Sequence, residues 1–279
     1  MLMEKKRIYI VIKTYPQISK KYAELVCTAG VLEDGSWIRL YPVKFRQLDI
    51  EQKYPKYTWI DVNVQRNTKD FRPETYRPDI TSIIVHPKPK KVDWDERRRI
   101  IFKNKKVYRN LQELIQKAKS NKTSLAIFKP AKVLDFTYEA VEPEWPEDKL
   151  QILQELSRQQ SLFQSPEELE KEFRVVRKVP YKFFYKFEDD SGKQSKMMIE
   201  DWEIGMLYFN CLERANGDSK VAISKVKEKY FDKFTKTDLH FFLGTTKRNH
   251  NIAPNPFIIV GVFTPPSTNQ QISIYDQLE

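Results

Sequence analysis

The chain has 279 residues, of which 40% are hydrophobic and 13% aromatic, enough to bury the core of one large domain or two ordinary ones. The formal net charge of +11 comes from one half, because the first 135 residues hold 30 of the 49 Lys and Arg but only 15 of the 38 Asp and Glu. The two cysteines exclude a disulfide framework or a zinc site, and the apolar run 8–12 is too short for a membrane span or a signal-peptide core, so we expect a protein of the reducing cytoplasm with no membrane partner.

Residues 1–92 predict a basic, β-rich domain, which we interpret as a partly open barrel of short strands. Alternating β-branched and aromatic residues predict strands over 7–15, 59–65 and 80–86. Asp34-Gly35 lies between two apolar runs and predicts a tight hairpin, because the centre of such a turn needs positive φ. Residues 19–29 predict a short helical turn followed by a strand.

The middle of the chain divides into a basic segment and an acidic one. Apolar residues recur at helical spacing over 93–120, which predicts a basic helix. The runs 124–128 and 132–139 predict a strand pair or one strand broken at Pro130. Residues 141–179 are acidic and contain prolines, and they predict helices near 148–162 and 166–173. We interpret 141–179 as a connector between the halves.

Residues 180–266 predict an α+β unit. Strands are expected over 181–187 and 196–199, around the turn Asp189-Asp190-Ser191-Gly192. Further elements are predicted as helices over 201–214 and 218–234 and strands over 239–245 and 257–263, before a polar tail at 267–279. The predicted fold class is therefore α+β, with a basic N-terminal β-rich domain, a helical connector and an α+β C-terminal unit.

The charge asymmetry favours a polyanionic partner, because each neutralised phosphate releases counterions and adds affinity that does not depend on sequence. Aromatic residues lie between the cations of the first half, an arrangement typical of β modules that stack bases and track a phosphate backbone. The candidate phosphate contacts are Arg39, Arg46, Lys56, Arg66, Arg72, Arg77, Arg97, Arg98, Arg99, Lys103, Lys105 and Lys106. The alternatives are a solvated basic face at 97–106 and structural ion pairs for the arginines of the 72–77 loop.

The loop after the strand at 239–245 is the most site-like segment outside the basic half. His240 and His250 are candidate acid and base catalysts, and Lys247 and Arg248 are candidate stabilisers of charge on a phosphoryl oxygen. The loop lacks the glycine and lysine spacing of a nucleotide-triphosphate loop. A metal nuclease would need converging carboxylates, and the only such set, Glu200 to Glu203, is more typical of the charged first turn of a helix.

The leading hypothesis is a nucleic-acid-binding protein, for DNA or RNA, acting as the recognition component of a bacterial defence, mobile-element or RNA-processing system. Neither a cofactor nor a metal ion is expected. One alternative is a nuclease or other phosphodiester-processing enzyme that uses the histidine loop. The other is an assembly subunit in a larger complex, whose basic half docks on an acidic protein partner.

Overall fold

The computed structural model describes residues 3–19, 23–160 and 175–267, and these form a mixed α+β structure with two β-sheets. The predicted fold class is therefore confirmed. The first sheet lies in the N-terminal part, which we call the barrel domain. The second sheet and the helices packed on it form the sheet domain.

Five described strands of the first sheet close into a barrel, in the order β1-β3-β4-β6-β5, because β1 pairs with both β3 and β5. These strands are β1 (Glu4–Lys13), β3 (Ala23–Leu32), β4 (Trp37–Val43), β5 (Thr58–Arg66) and β6 (Thr75–Pro78), with the short β2 (Gln17–Ser19) and β7 (Ile84–Val85) attached. The barrel is closed rather than partly open, and closure removes the exposed strand edges that an open sheet presents to solvent.

The β3–β4 hairpin forms at the predicted turn. Gly35 has a φ of +91°, and the Asp34 carboxylate accepts hydrogen bonds from the backbone N–H and hydroxyl of Ser36 at 2.8 and 2.7 Å. A side chain at Gly35 would collide with the carbonyl of Lys103. Glycine is therefore needed here both for the backbone conformation and for the close approach of the next segment.

The second sheet has the order β10-β11-β12-β14-β13-β9-β8 in the described residues. Its strands are β8 (Val107–Tyr108), β9 (Leu125–Phe128), β10 (Lys132–Ala140), β11 (Tyr181–Glu188), β12 (Gln194–Ile199), β13 (His240–Thr245) and β14 (Phe257–Phe263). The strands β9 and β10 do not pair with each other as predicted. Instead β8, β9 and β10 are hydrogen-bonded into the same sheet as the C-terminal strands.

Four of the five described α-helices begin at a side-chain cap. Asp93, Asn110, Asp201 and Asp218 each accept a hydrogen bond from a backbone N–H of the first turn. The helices are α1 (Trp94–Phe102), α2 (Leu111–Lys119), α3 (Glu147–Gln160), α4 (Trp202–Arg214) and α5 (Ser219–Lys227), and α5 continues as a π-helix over Glu228–Lys233.

Some local predictions are wrong. The single helix expected over 93–120 is two helices, because Asn104 has a φ of +51° and β8 then pairs with β9. In the predicted strand 80–86 only Ile84–Val85 is a strand, after a 3₁₀ turn over Ile80–Ser82. Of the helical turn and strand predicted over 19–29, the strand is observed as Ala23–Leu32, Ser19 ends the short strand Gln17–Ser19, and residues 20–22 lie outside the described residues. The helix predicted at 166–173 lies outside the described residues, as does all but the first residue of the predicted tail.

The two domains share a core. Alternation along β1 sends Ile8 and Ile10 into the barrel, while Tyr9 and Val11 face outward. The outward residues pack with Phe242, Val260 and other side chains of the second sheet, and with the buried face of α1. The barrel therefore lies against the sheet domain through a continuous apolar interface. In the described ranges no helix is long and apolar enough to cross a bilayer.

Candidate functional site

A cavity of about 340 Å³ lies beside this interface, and we call it the interdomain cavity. Its polar wall combines Arg39 and Arg72 of the barrel domain with residues 245–247 and the acid Glu200 of the sheet domain. Its apolar wall is formed by aliphatic side chains from β1, β3, β9 and β14: Ile12, Leu25, Leu125, Ile258 and Val260. The structure thus brings together cations from the first half of the chain and the loop after β13.

Arg39 lies on β4 and is only 1% exposed. Its Nη1 donates to Ser124 Oγ at 2.5 Å and to Thr75 Oγ1 at 3.3 Å, and its Nη2 donates to the Ser124 carbonyl at 3.0 Å. Its Nε has no hydrogen-bond partner among the described residues. Burial lowers the pKa of Arg39, and the nearby guanidinium of Arg72 lowers it further.

All three acceptors on Arg39 are neutral. Glu74 is linked to Arg39 through Ser124, because its carboxylate accepts hydrogen bonds from Ser124 N at 2.8 Å and from Ser124 Oγ at 2.5 Å. Ser124 therefore stands between the carboxylate and the guanidinium, and no described carboxylate forms an ion pair with Arg39 directly. Burying a charge without a counter-ion has a large desolvation cost, so the burial of Arg39 requires an explanation beyond packing.

Arg72, in contrast, is paired. Its Nε and Nη2 donate to the two oxygens of Asp70 at 3.0 and 2.6 Å, and its Nη1 donates to the Thr245 carbonyl. The forked guanidinium suits this bidentate geometry. Because Thr245 ends β13, the Arg72 contact fastens a barrel loop to the C-terminal end of an inner strand of the second sheet.

His250 is fully buried beside the cavity and occupied at both ring nitrogens. Its Nε2 lies 3.0 Å from Asn121 Oδ1, and its Nδ1 lies 2.8 Å from the Thr245 hydroxyl. Asn121 donates to the carbonyl of Phe71, which fixes the amide oxygen toward the histidine and assigns the ring proton to Nε2. Burial lowers the pKa of His250, so the neutral ring holds the loop in place.

His240 lies at the opposite end of β13, where its Nδ1 donates to the Asp238 carbonyl at 2.8 Å and its ring packs on Phe102. The strand separates the two histidines by roughly 17 Å. The structure therefore does not bring His240 and His250 together as an acid–base pair. Lys247 is exposed and donates to the Lys69 carbonyl at 2.5 Å, while the exposed Arg248 forms no hydrogen bond or ion pair with described residues.

Lys56 is buried and does not face solvent as a phosphate contact would. Its ammonium lies 2.7 Å from an Asp201 oxygen and 2.5 Å from a Glu203 oxygen. Burial opposes ionisation of both acids, but the ammonium lowers the pKa of the partly exposed Glu203 to about 2, whereas the pKa of the fully buried Asp201 is raised. Asp201 also caps α4, and the described residues contain no group of three acids, histidines or cysteines arranged as metal ligands.

The predicted cations of α1 mainly hold the domains together. Arg97 lies 4.2 Å from the centre of the Tyr57 ring, and Arg98 forms an ion pair with Asp238 at 2.7 Å. Arg99 is exposed and reaches only its own helix. The helix therefore presents fewer available cations than its sequence suggests.

The lysines that follow α1 also contact other groups of the protein. Lys103 donates to the backbone of the β3–β4 turn at 2.6 Å, and Lys105 donates to the Gly35 carbonyl while lying 4.9 Å from the Trp37 ring. Burial lowers the pKa of Lys105 to about 8. Lys106 forms an ion pair with Glu113 at 2.6 Å.

The remaining candidates have three different placements. Arg66 donates to backbone carbonyls of the 72–75 loop and stiffens it. Arg46 is half-buried in a separate groove beside Phe45 and Trp202. Arg77 is exposed, and its side chain forms no hydrogen bond or ion pair with described residues. Of the predicted cations, only Arg39, Arg72 and Lys247 line the interdomain cavity.

Sequence reasoning missed several residues that build this site. Ser124 and Asn121 lie just before β9, and no sequence motif surrounds them. Phe71 is one of many aromatic residues, and nothing in the sequence distinguishes it from the others. Three loops, 67–72, 120–123 and 246–251, meet at His250 through the Lys247, Asn121 and His250 contacts. No local signal in the sequence marks a meeting of segments that lie so far apart in the chain.

Two family models match this chain. Residues 4–103 match the model described as Domain of unknown function (DUF8758), which ends at the close of the barrel domain and α1. No curated protein matches the sequence significantly. The second model matches residues 106–279, well over half of the chain and the whole described sheet domain, so this protein belongs to the family described as Domain of unknown function (DUF8757).

Proposed function

We propose that this protein binds nucleic acid, DNA or RNA, at the mouth of the interdomain cavity. The observation that carries the proposal is the meeting of the three loops at His250. They present four exposed cations, Lys69, Lys122, Lys247 and Arg248, which we call the basic rim. Arg39 and Arg72 line the cavity next to Lys247.

The rim also contains an aromatic surface. The Phe71 side chain is 43% exposed although its ring packs 5.6 Å from His250. An exposed ring among cations suits single-stranded nucleic acid, since bases stack on the ring while the cations follow the phosphates. The His250 contacts hold this surface in shape without needing the histidine as a catalyst.

The concentration of positive charge in the first half supports the same partner. Lys69 and Lys122 belong to that half, whereas Lys247 and Arg248 come from the weakly acidic remainder. Folding therefore adds the few cations of the C-terminal loop to the basic part of the chain. We further propose a cytoplasmic location, in keeping with the free thiols of Cys27 and Cys211.

The test is fluorescence anisotropy with labelled single-stranded and double-stranded DNA and RNA over a series of salt concentrations. The variant reverses three rim charges, as Lys69→Glu, Lys122→Glu and Lys247→Glu. The matched control reverses three exposed lysines of the sheet domain, as Lys132→Glu, Lys186→Glu and Lys193→Glu, so that both variants have the same net charge.

We expect the wild-type affinity to fall with salt with a log–log slope of about −3 to −4, as four phosphate contacts would give. The rim variant should lose at least roughly tenfold in affinity and most of that slope, while the control variant keeps the slope. A flat salt response, or equal losses in the two variants, would refute the proposal. Binding of an acidic protein that nucleic acid does not displace would favour the docking-subunit alternative instead.

A further inference from the structure

We infer that the interdomain cavity receives one nucleotide unit, with its phosphate at Arg39 and its base against the aliphatic wall. This inference rests on the proposed function and names the part of the ligand that the cavity takes. The volume of about 340 Å³ lies within the range of small-ligand pockets. One polar wall and one apolar wall match a ligand that is anionic at one end and flat and apolar at the other.

Arg39 is a buried cation with an unused hydrogen-bond donor. It is 1% exposed, its Nε–H has no partner, and its remaining donors reach only neutral acceptors. A protein that needed Arg39 only for packing would do better with an apolar side chain of similar volume. An anion in the cavity would both pair this charge and accept from the free Nε–H.

The charges around Arg39 favour an anion over a cation. Glu200 is the acid in the cavity lining, and burial raises the pKa of its carboxyl group, which favours the neutral form. Arg72 is close enough to Arg39 to lower its pKa, and Asp70 already occupies the Arg72 fork. Lys247 lies at the rim and lines the same cavity. A phosphate therefore would meet Arg39 directly and the positive potential of Arg72 and Lys247 at longer range.

The opposite wall suits the face of a base. Ile12, Leu25, Leu125, Ile258 and Val260 contribute aliphatic surface from strands of both domains. Gly244 keeps this wall close, because a side chain there would meet Val260 at 3.1 Å. Rigid strands on each side position the wall without an ordering cost on binding.

Lys247 connects this cavity to the basic rim. A strand that follows the rim phosphates would reach the cavity mouth, where one unstacked residue can enter, as proteins that read single bases require. A free nucleoside monophosphate offers the same chemistry. Testing mononucleotides and oligonucleotides in parallel distinguishes a free nucleotide from a nucleotide within a strand.

The two cysteines provide the assay. Cys27 lines the cavity near Arg39, whereas Cys211 lies on α4 away from it, and both are half-buried free thiols. We would measure the alkylation rate of each thiol by peptide mass spectrometry, with and without AMP, CMP, GMP, UMP, the nucleosides, inorganic phosphate, and single-stranded oligonucleotides.

At least one mononucleotide, or a bound oligonucleotide, should slow Cys27 alkylation at least roughly tenfold while Cys211 is unchanged, and nucleosides should protect far less. Calorimetric titration of the same mononucleotides and oligonucleotides provides a second measurement that does not depend on thiol reactivity. In both assays Arg39→Met should abolish the effect. Arg109→Met, which changes an exposed arginine that pairs with Asp190 and does not line the cavity, should not.

The failures can be told apart. If oligonucleotides bind in the anisotropy assay but neither protect Cys27 nor lose affinity on Arg39→Met, the cavity inference is refuted and the rim proposal stands. If mononucleotides protect Cys27 while no oligonucleotide binds, the proposed function fails and the cavity is a free-nucleotide site. If Arg39→Met does not fold, unchanged Cys27 rates and no calorimetric heat with wild-type protein still overturn the inference.

Discussion

The substitution Lys56→Met tests the central ion pair between the domains. Lys56 precedes β5 in the barrel domain, and its partners Asp201 and Glu203 begin α4 in the sheet domain. Methionine keeps most of the aliphatic stem and removes the ammonium. The variant therefore leaves the buried carboxylate of Asp201, whose side chain is 1% exposed, without its cation.

Removing one partner of a buried pair costs about 3 to 5 kcal/mol, because Asp201 and Glu203 lose the cation that offsets the cost of their desolvation. For a chain of this length about 2 °C of melting temperature corresponds to each kcal/mol, so we expect a fall of about 6 to 10 °C. The assay is urea and thermal unfolding followed by tryptophan fluorescence.

Two controls sharpen the result. Lys53→Met removes an exposed lysine from the same loop and should change the free energy of unfolding by less than about 0.5 kcal/mol. Asp201→Asn keeps a good helix cap and leaves Glu203 opposite Lys56, so its loss should be smaller than that of Lys56→Met. A loss below about 1 kcal/mol in the free energy of unfolding of Lys56→Met would refute a stabilising role of the Lys56 ammonium in this ion pair.

Gly30→Ala should destabilise by about 1 to 3 kcal/mol, since the new methyl would lie 2.5 Å from Ile8 Cγ2 across the β1–β3 pair; an unchanged urea midpoint would contradict this close approach. Tyr54→Phe removes a buried 3.0 Å hydrogen bond to the Thr28 hydroxyl and should cost about 1 kcal/mol with an unchanged urea m-value, and a gain in stability would count against that bond. Burial holds the pKa of His250 below 6.5, so the unfolded chain binds its proton more readily and stability falls as the pH drops below about 6.5. His250→Gln should therefore flatten the stability profile between about pH 7 and 5, and an unaltered slope would refute the assignment.

Local patterns in the sequence were sufficient for the elements whose cause is local. Alternation placed β1 and β5, and the Asp34-Gly35 pair placed the hairpin, because positive φ at its centre is a property of the turn itself. Apolar spacing failed over 93–120, since the short β8 pairs with β9 and this tertiary contact overrides the helical period.

The residues of the candidate site were likewise only partly predictable from local sequence patterns. The sequence singled out Arg39, Arg72 and Lys247, and these line one cavity, but equal reasoning applied to Lys56, Arg66 and Arg98. A cation in the sequence has the same chemistry whether it pairs inside the protein or faces solvent. Only the position of distant acids and carbonyls decides which of the two it does.

The sequence by itself determined the fold class, most strand positions and the basic character of the first half, because these depend on side-chain pattern and composition. The tertiary structure decided that the barrel closes, that His240 and His250 lie at opposite ends of a strand, and that three distant loops meet beside a buried unpaired arginine. Those features depend on contacts between residues far apart in the chain, and such contacts leave no periodic or short-range signal.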